Sequence, residues 1–123
     1  MKKYLLLIIF FLLFTSKGYS NNYLFTKITK LDEPWGSAFI NNNEIIITEK
    51  TGKIKIVNVV LKEVSEIKHN LNFVEVGQGG LLDIIHQNNT LWISYSENRG
   101  DSKTSTSIAK AQLNKQELNF KNI

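Results

Sequence analysis

Val76 to Asp83 reads VGQGGLLD and runs straight into Ile84, Ile85 and His86, so three glycines surround one amide side chain just ahead of an apolar run. Gly77, Gly79 and Gly80 allow the backbone positive φ and let another molecule approach closely. Such a loop can present Gln78 over a flat ligand at little steric cost, with the amide placed to orient an oxygen. A simple turn between two strands is the competing account of the same residues. The loop is not built for phosphate: Gly77-Gln78-Gly79-Gly80 lacks the GxGxxG spacing, and no Lys-Ser or Lys-Thr pair directly follows it. His69, next to Asn70 in a polar connection, reads as a solvent-facing loop residue.

The elements that must carry this loop are strands. Period-2 alternation and β-branched residues dominate beyond Ser20, and no 3.6-residue apolar stripe runs longer than about two turns. An all-β chain is expected, with strands over Leu24–Thr29, Gly36–Ile40, Glu44–Glu49, Lys53–Val57, Leu61–Ile67, Leu81–Ile85, Leu91–Ser96, Thr106–Leu113 and Glu117–Phe120. Turns fall at Asn41-Asn42-Asn43, Lys50-Thr51-Gly52 and Gln87-Asn88-Asn89, and a longer polar loop runs from Glu97 to Ser105.

A shift of 46 residues brings Asn43 over Asn89, Ile45 over Leu91, Ile47 over Ile93 and Thr48 over Ser94. Two similar sheets in succession follow from that, as in the blades of a propeller with a repeat of about 40 to 50 residues. An antiparallel sandwich with evenly spaced hairpins fits the periodicity equally well. Propellers close with about 4 to 8 blades and this sequence holds about two, so one copy cannot complete a ring. Either a longer protein or an assembly of copies is implied. The ending at Asn119–Ile123, without a capping strand, favours the longer protein.

Met1 to Ser20 has the form of a secretory signal: Lys2 and Lys3 come first, Tyr4–Phe14 is apolar throughout, and Gly18 and Ser20 are small residues before a cleavage point. The apolar run has eleven residues, against the roughly 20 that a membrane-spanning helix needs. A periplasmic or secreted chain with no membrane span after cleavage is expected. Losing Lys2, Lys3 and Lys17 with the leader lowers the formal charge from +4 to +1 and leaves 103 residues. The remaining lysines, among them Lys50, Lys53 and Lys55, alternate with acidic or apolar neighbours and form no nucleic-acid footprint. Zero cysteines exclude a disulfide framework, a thiolate metal site and a lipid attachment.

From Leu31 onward the chain resembles the amino-terminal part of the pyrroloquinoline-quinone-dependent sugar dehydrogenases, the glucose/sorbosone dehydrogenase family with its soluble aldose sugar dehydrogenases. The likeness runs in order through Pro34-Trp35-Gly36 with Ala38-Phe39, Ile47-Thr48-Glu49 with Gly52-Lys53-Ile54, VGQGGLLD with His86, Trp92-Ile93-Ser94-Tyr95, and Ile108-Ala109-Lys110-Ala111-Gln112-Leu113. It implies a six-bladed propeller with blade one over about 31–68 and blade two over about 78–121. It also implies oxidation of aldoses to lactones, with hydride passing to pyrroloquinoline quinone, calcium beside the cofactor and an external electron acceptor.

Under the resemblance Gln78 contacts the quinone or the sugar, Gly77, Gly79 and Gly80 supply loop backbone, and Trp35 packs within a blade. No catalytic residue and no metal ligand falls within this chain. His86 ends an inner strand, while the family's base belongs to a later histidine-glycine-serine-arginine type segment. Gln87 stands where the family has proline after that histidine. The expected function is therefore the first part of an exported sugar dehydrogenase, inactive alone. The alternative is a non-catalytic module that binds a glycan or a protein partner. Open blade faces around Ala38, Phe39, Ile84 and Ile85 are expected to promote self-association.

Overall fold

A computed structural model describes residues 22–123, so the leader expected over 1–20 lies outside the described residues. Among the described residues nine strands and no helix are present: β1 (Pro34–Asn41), β2 (Glu44–Glu49), β3 (Ile54–Asn58), β4 (Glu63–His69), β5 (Leu81–Gln87), β6 (Thr90–Asn98), β7 (Thr104–Gln112), β8 (Glu117–Leu118) and β9 (Lys121–Asn122). They form two sheets, ordered β1-β2-β3-β4-β8 and β5-β6-β7-β9. No helix of the described residues is long and apolar enough to cross a membrane.

Asparagines build the reversals at one end of the strands. Asn88 and Asn89 take φ of 49° and 60°, the left-handed pair that matches the twist of a two-residue hairpin and that asparagine tolerates. Asn41 Oδ1 accepts the Asn43 amide at 2.8 Å, and Asn58 Oδ1 accepts the amides of Val60 and Leu61 at 3.1 and 2.9 Å.

The core lies between the sheets. Ile46, Ile54, Ile56 and Ile67 of the first meet Leu81, Ile84, Leu91, Ile93 and Tyr95 of the second, with Leu118 and Phe120 closing one side. Each fully buried aliphatic side chain here contributes about 1.5–3 kcal/mol. The edge strands β1 and β5 lie against one another, and a Cβ on Gly36 would come within 2.7 Å of the Asp83 Cα. Only glycine permits that approach.

Both sheets carry the same irregularity. Between Pro34↔Glu49 and Ser37↔Ile47, two residues of β1 oppose Thr48; between Leu81↔Tyr95 and Ile84↔Ile93, two residues of β5 oppose Ser94. These are β-bulges, and each leaves backbone groups without a ladder partner. A hydroxyl fills the gap in each. Thr48 Oγ1 accepts the Gly36 amide at 3.0 Å and donates to the Leu82 carbonyl, while Ser94 Oγ accepts the Asp83 amide at 3.1 Å. The repeat that sets Thr48 over Ser94 is thus a repeat of bulge chemistry.

Four expectations are corrected. Leu24–Thr29 forms no strand and lies exposed, because no neighbouring strand is there to pair with it. Glu117–Phe120 is not one strand: β8 pairs parallel with β4 of the first sheet, and the chain then crosses back so that β9 pairs with β7. The loop from Glu97 to Ser105 shrinks, because β6 and β7 continue pairing as far as Asn98↔Thr104. Ile84, expected on an open face, is 2% exposed, whereas Phe39 and Ile85 are 65% and 59% exposed.

Candidate functional site

Antiparallel pairing sends the β2–β3 turn, the β4–β5 connection and the β6–β7 turn to one end of the strands, and Gln78 sits there, three residues before β5 begins. Backbone bonds fasten the connection at several points. The Asn98 amide donates to Asn72 O at 3.0 Å, the Val74 amide to Ser96 O at 2.8 Å, the Gly79 amide to Val76 O at 2.8 Å and the Ser96 amide to Gly80 O at 2.9 Å. Val76 to Gly79 is therefore a closed turn with Gln78 exposed on it.

The three glycines do different work. Gly77 has φ of 57° with open space where a side chain would be, and Gly80 has φ of 148° with the Lys50 backbone against it. Gly79 does not use its freedom to take positive φ; its missing side chain instead leaves room for the Ser96 hydroxyl, 2.7 Å from where a Cβ would stand. Close approach inside the protein accounts for Gly79 and Gly80. Gly77 alone serves the turn.

Two lysines at this end are committed internally. Lys50 Nζ lies 3.3 Å from Glu33 Oε2, and Lys55 Nζ lies 2.8 Å from Glu49 Oε1. Glu49 is wholly buried, and Oε1 also accepts the Asp32 amide at 2.7 Å. Burial works against its charge, but Lys55 and the Asp32 N–H outweigh it and hold the carboxyl below the usual glutamate range. Glu49 Oε2 and the Thr51 hydroxyl are buried without a hydrogen-bond partner among the described residues. No group of three His, Asp or Glu side chains there could hold a metal ion.

The histidine of β5 does not stand beside Gln78. His86 is five residues along β5 from Leu81, about 17 Å away in an extended strand. Its Nδ1 donates to Phe39 O at 3.2 Å, which leaves Nε2 buried and unpartnered among the described residues. His69 corrects its expected exposure: it ends β4, half-buried, and uses both ring nitrogens. The Leu71 amide donates to Nδ1 at 3.2 Å, so Nε2 carries the proton and donates to Gly52 O at 2.7 Å. It clamps the connection to the β2–β3 turn. Trp35 is also a correction, since the bulge at the start of β1 leaves it 49% exposed rather than packed in a blade.

Residues 31–123 match the family model for glucose / sorbosone dehydrogenase. The chain belongs to that family. It is 32% identical over 96 residues to the aldose sugar dehydrogenase YliI of Escherichia coli, covering 68% of this chain and 24% of that protein. The crystal structure of the soluble aldose sugar dehydrogenase from Escherichia coli in the apo-form is similar, with a TM-score of 0.68 and 29% identity over 76% of this chain and 29% of that one. The PQQ-bound aldose sugar dehydrogenase of Streptomyces coelicolor shares the fold at a TM-score of 0.67 and 16% identity, over 77% of this chain and 30% of that one. This glucose/sorbosone dehydrogenase chain thus spans about a quarter of its curated relative and under a third of these two solved chains.

Sequence reasoning missed several residues that hold the site of this dehydrogenase-family chain. His69 fixes the β2–β3 turn, Thr48 ties β2 to the β1 bulge and to β5, Glu49 holds Lys55 and the Asp32 amide, and Asn70 pairs with the Phe120 backbone through both side-chain atoms, at 2.7 and 3.1 Å. Thr48 had a signal, its alignment with Ser94. The others carried none, because a carboxylate or imidazole beside lysines and asparagines reads as surface until its neighbours are known.

Proposed function

We propose that this chain is the amino-terminal part of an exported, quinone-dependent aldose sugar dehydrogenase, in which Gln78 contacts a quinone or sugar oxygen. The observation that carries the reading is an exposed amide on a turn fastened at both ends, at the loop end of the edge strand β5. An amide held so both donates and accepts, and it orients an oxygen without exchanging a proton. Gly77 sets the turn, while Gly79 and Gly80 let it lie against Ser96 and Lys50. The bound quinone supplies the hydride acceptor. The base, the cations facing the cofactor carboxylates and the calcium ligands belong, in this reading, to further blades. An external acceptor reoxidises the cofactor, and the leader is removed after Ser20 on export.

Three measurements test this. DNA adjoining the codon for Ile123 is expected to continue, in frame or after one frameshift, into a histidine-glycine-serine-arginine type segment and more blades. Unrelated sequence there would favour the non-catalytic binding module. In the polypeptide with those blades, Gln78→Ala is expected to lower kcat/KM for an aldose by about 10- to 100-fold, the equivalent of one lost polar contact to a charged or charge-developing oxygen. Unchanged kinetics would remove Gln78 from the site. Intact mass of the exported chain checks cleavage, with Asn21 as the expected first residue.

A further inference from the structure

The bulge in β1 places an indole at the seam between the two sheets. Thr48, which opposes Trp35 and Gly36, is wholly buried and donates to the Leu82 carbonyl of β5, while Gly36 is buried against Asp83. Bulges re-aim a side chain, and they recur next to active sites. In the matching bulge of β5 the residue at this place is Leu82, half-buried; in β1 it is Trp35, 49% exposed. Trp35 also shares its end of the strands with Gln78. The Lys50 amide donates to Glu33 O at 3.0 Å, and Gly80 closes on the Lys50 carbonyl, so one residue is flanked by the segment entering β1 and the segment entering β5. Trp35 lies two residues from Glu33 and Gln78 two residues from Gly80, about 7 Å of extended chain in each case. Asp32 and Glu33, both exposed, stand just before Trp35.

We propose that Trp35 is the platform on which the pyranose ring of the aldose stacks, a role that rests on this end of the strands being the sugar site. The indole offers a flat apolar face to the ring C–H groups and an Nε1–H donor to a hydroxyl. An aromatic wall with a few placed polar groups is the usual make-up of a small-molecule site, and Gln78 supplies one such group here. Charge selects the occupant. The carboxylates of Asp32 and Glu33 accept hydroxyls of a neutral sugar and repel the carboxylates of the quinone, so the ring over Trp35 is the sugar and not the cofactor. Stacking holds substrate and transition state alike, so Trp35 acts on binding and leaves the chemical step to other groups.

In the polypeptide with the further blades, Trp35→Ala is expected to raise KM for a pyranose aldose by about 3- to 10-fold and to leave kcat within about twofold. Trp35→Phe keeps a stacking face and should recover most of the loss. A titration without turnover reads the same contact: in the cofactor-free polypeptide, the emission of Trp35, taken as the difference between the parent and Trp35→Phe, is expected to change and saturate as the aldose is added. Affinity for pyrroloquinoline quinone, followed by its absorbance, should be the same in Trp35→Ala as in the parent. An unaltered KM in Trp35→Ala, an emission indifferent to the sugar, or a weakened quinone affinity at unchanged sugar KM would each overturn the proposal. Lost stability in Trp35→Ala with KM unchanged would make Trp35 a packing residue under another blade. Gln78→Ala, measured alongside, separates the two assignments. A raised KM in Trp35→Ala beside a silent Gln78→Ala keeps the platform and removes Gln78, and the reverse pattern removes the platform alone. Circular dichroism checks that the variants fold.

Discussion

A Cβ on Gly80 would stand 2.2 Å from the Lys50 carbonyl oxygen, so the loop carrying Gln78 can close on the β2–β3 turn only through a residue with no side chain. Gly80→Ala is therefore expected to destabilise the chain by about 1–3 kcal/mol through strain at its φ of 148°, with the clash added. Gly77→Ala meets no atoms and carries only the left-handed penalty of about 1–2 kcal/mol. Urea unfolding of both variants should rank Gly80→Ala as the more damaging. The reverse order would mean that the loop does not close on Lys50.

Glu49 makes stability depend on pH. Its carboxyl is lowered from the ordinary 4.5, so its contribution is fully present above that pH and is lost as pH falls through the lower folded value. Glu44, lowered by its hydrogen bonds to Lys115 and Asn41, acts in the same direction. Lys55→Met strands a buried carboxylate and is expected to cost about 3–5 kcal/mol at neutral pH. That cost should shrink as the pH falls, since a protonated Glu49 needs no cation. A cost independent of pH would show that lost packing, not charge, is responsible.

Tyr95 gives the opposite limb. It is 2% exposed, and burial pushes its hydroxyl above the ordinary 10.0; the hydroxyl donates to Asn122 Oδ1 at 2.8 Å. The stability from keeping it neutral is present below pH 10.0 and lost as pH rises through the higher folded value. Ultraviolet titration of the folded chain should show a tyrosine ionising late. Tyr95→Phe should remove that component.

The bulge hydroxyls differ in burial and should differ in cost. Thr48→Val leaves the buried Gly36 amide unpaired, at about 1–3 kcal/mol, whereas Ser94→Ala sits in a more exposed bulge and should cost about 0.5–1.5 kcal/mol. Chemical denaturation separates the two. Equal costs would mean the hydroxyls do not hold the bulges.

This chain alone, given pyrroloquinoline quinone, calcium and an aldose, is expected to show no dye-linked dehydrogenase turnover. Gln78 can orient an oxygen, but His86 lies at the far end of β5 and faces the Phe39 carbonyl. Turnover that disappears in His86→Ala would make His86 the base and end the fragment reading.

Alternation is a local property, and it was enough for an all-β chain, for β2 to the residue at Glu44–Glu49, for the asparagine hairpins and for the repeat aligning Thr48 with Ser94. The glycines around Gln78 were legible too, since backbone freedom belongs to the residue type. What each glycine is for was not: Gly79 and Gly80 answer to Ser96 and Lys50, which come from other strands. The same reason covers the split of Glu117–Phe120, where a two-residue pairing goes to whichever edge the folded sheets present, and the burial of His69 and Glu49 beside the exposure of Trp35. Residue type and spacing determined which segments could pair and which side chain stood among glycines. The tertiary structure decided which polar groups became clamps and which apolar faces stayed open, because burial depends on what lies opposite in space rather than next in the chain.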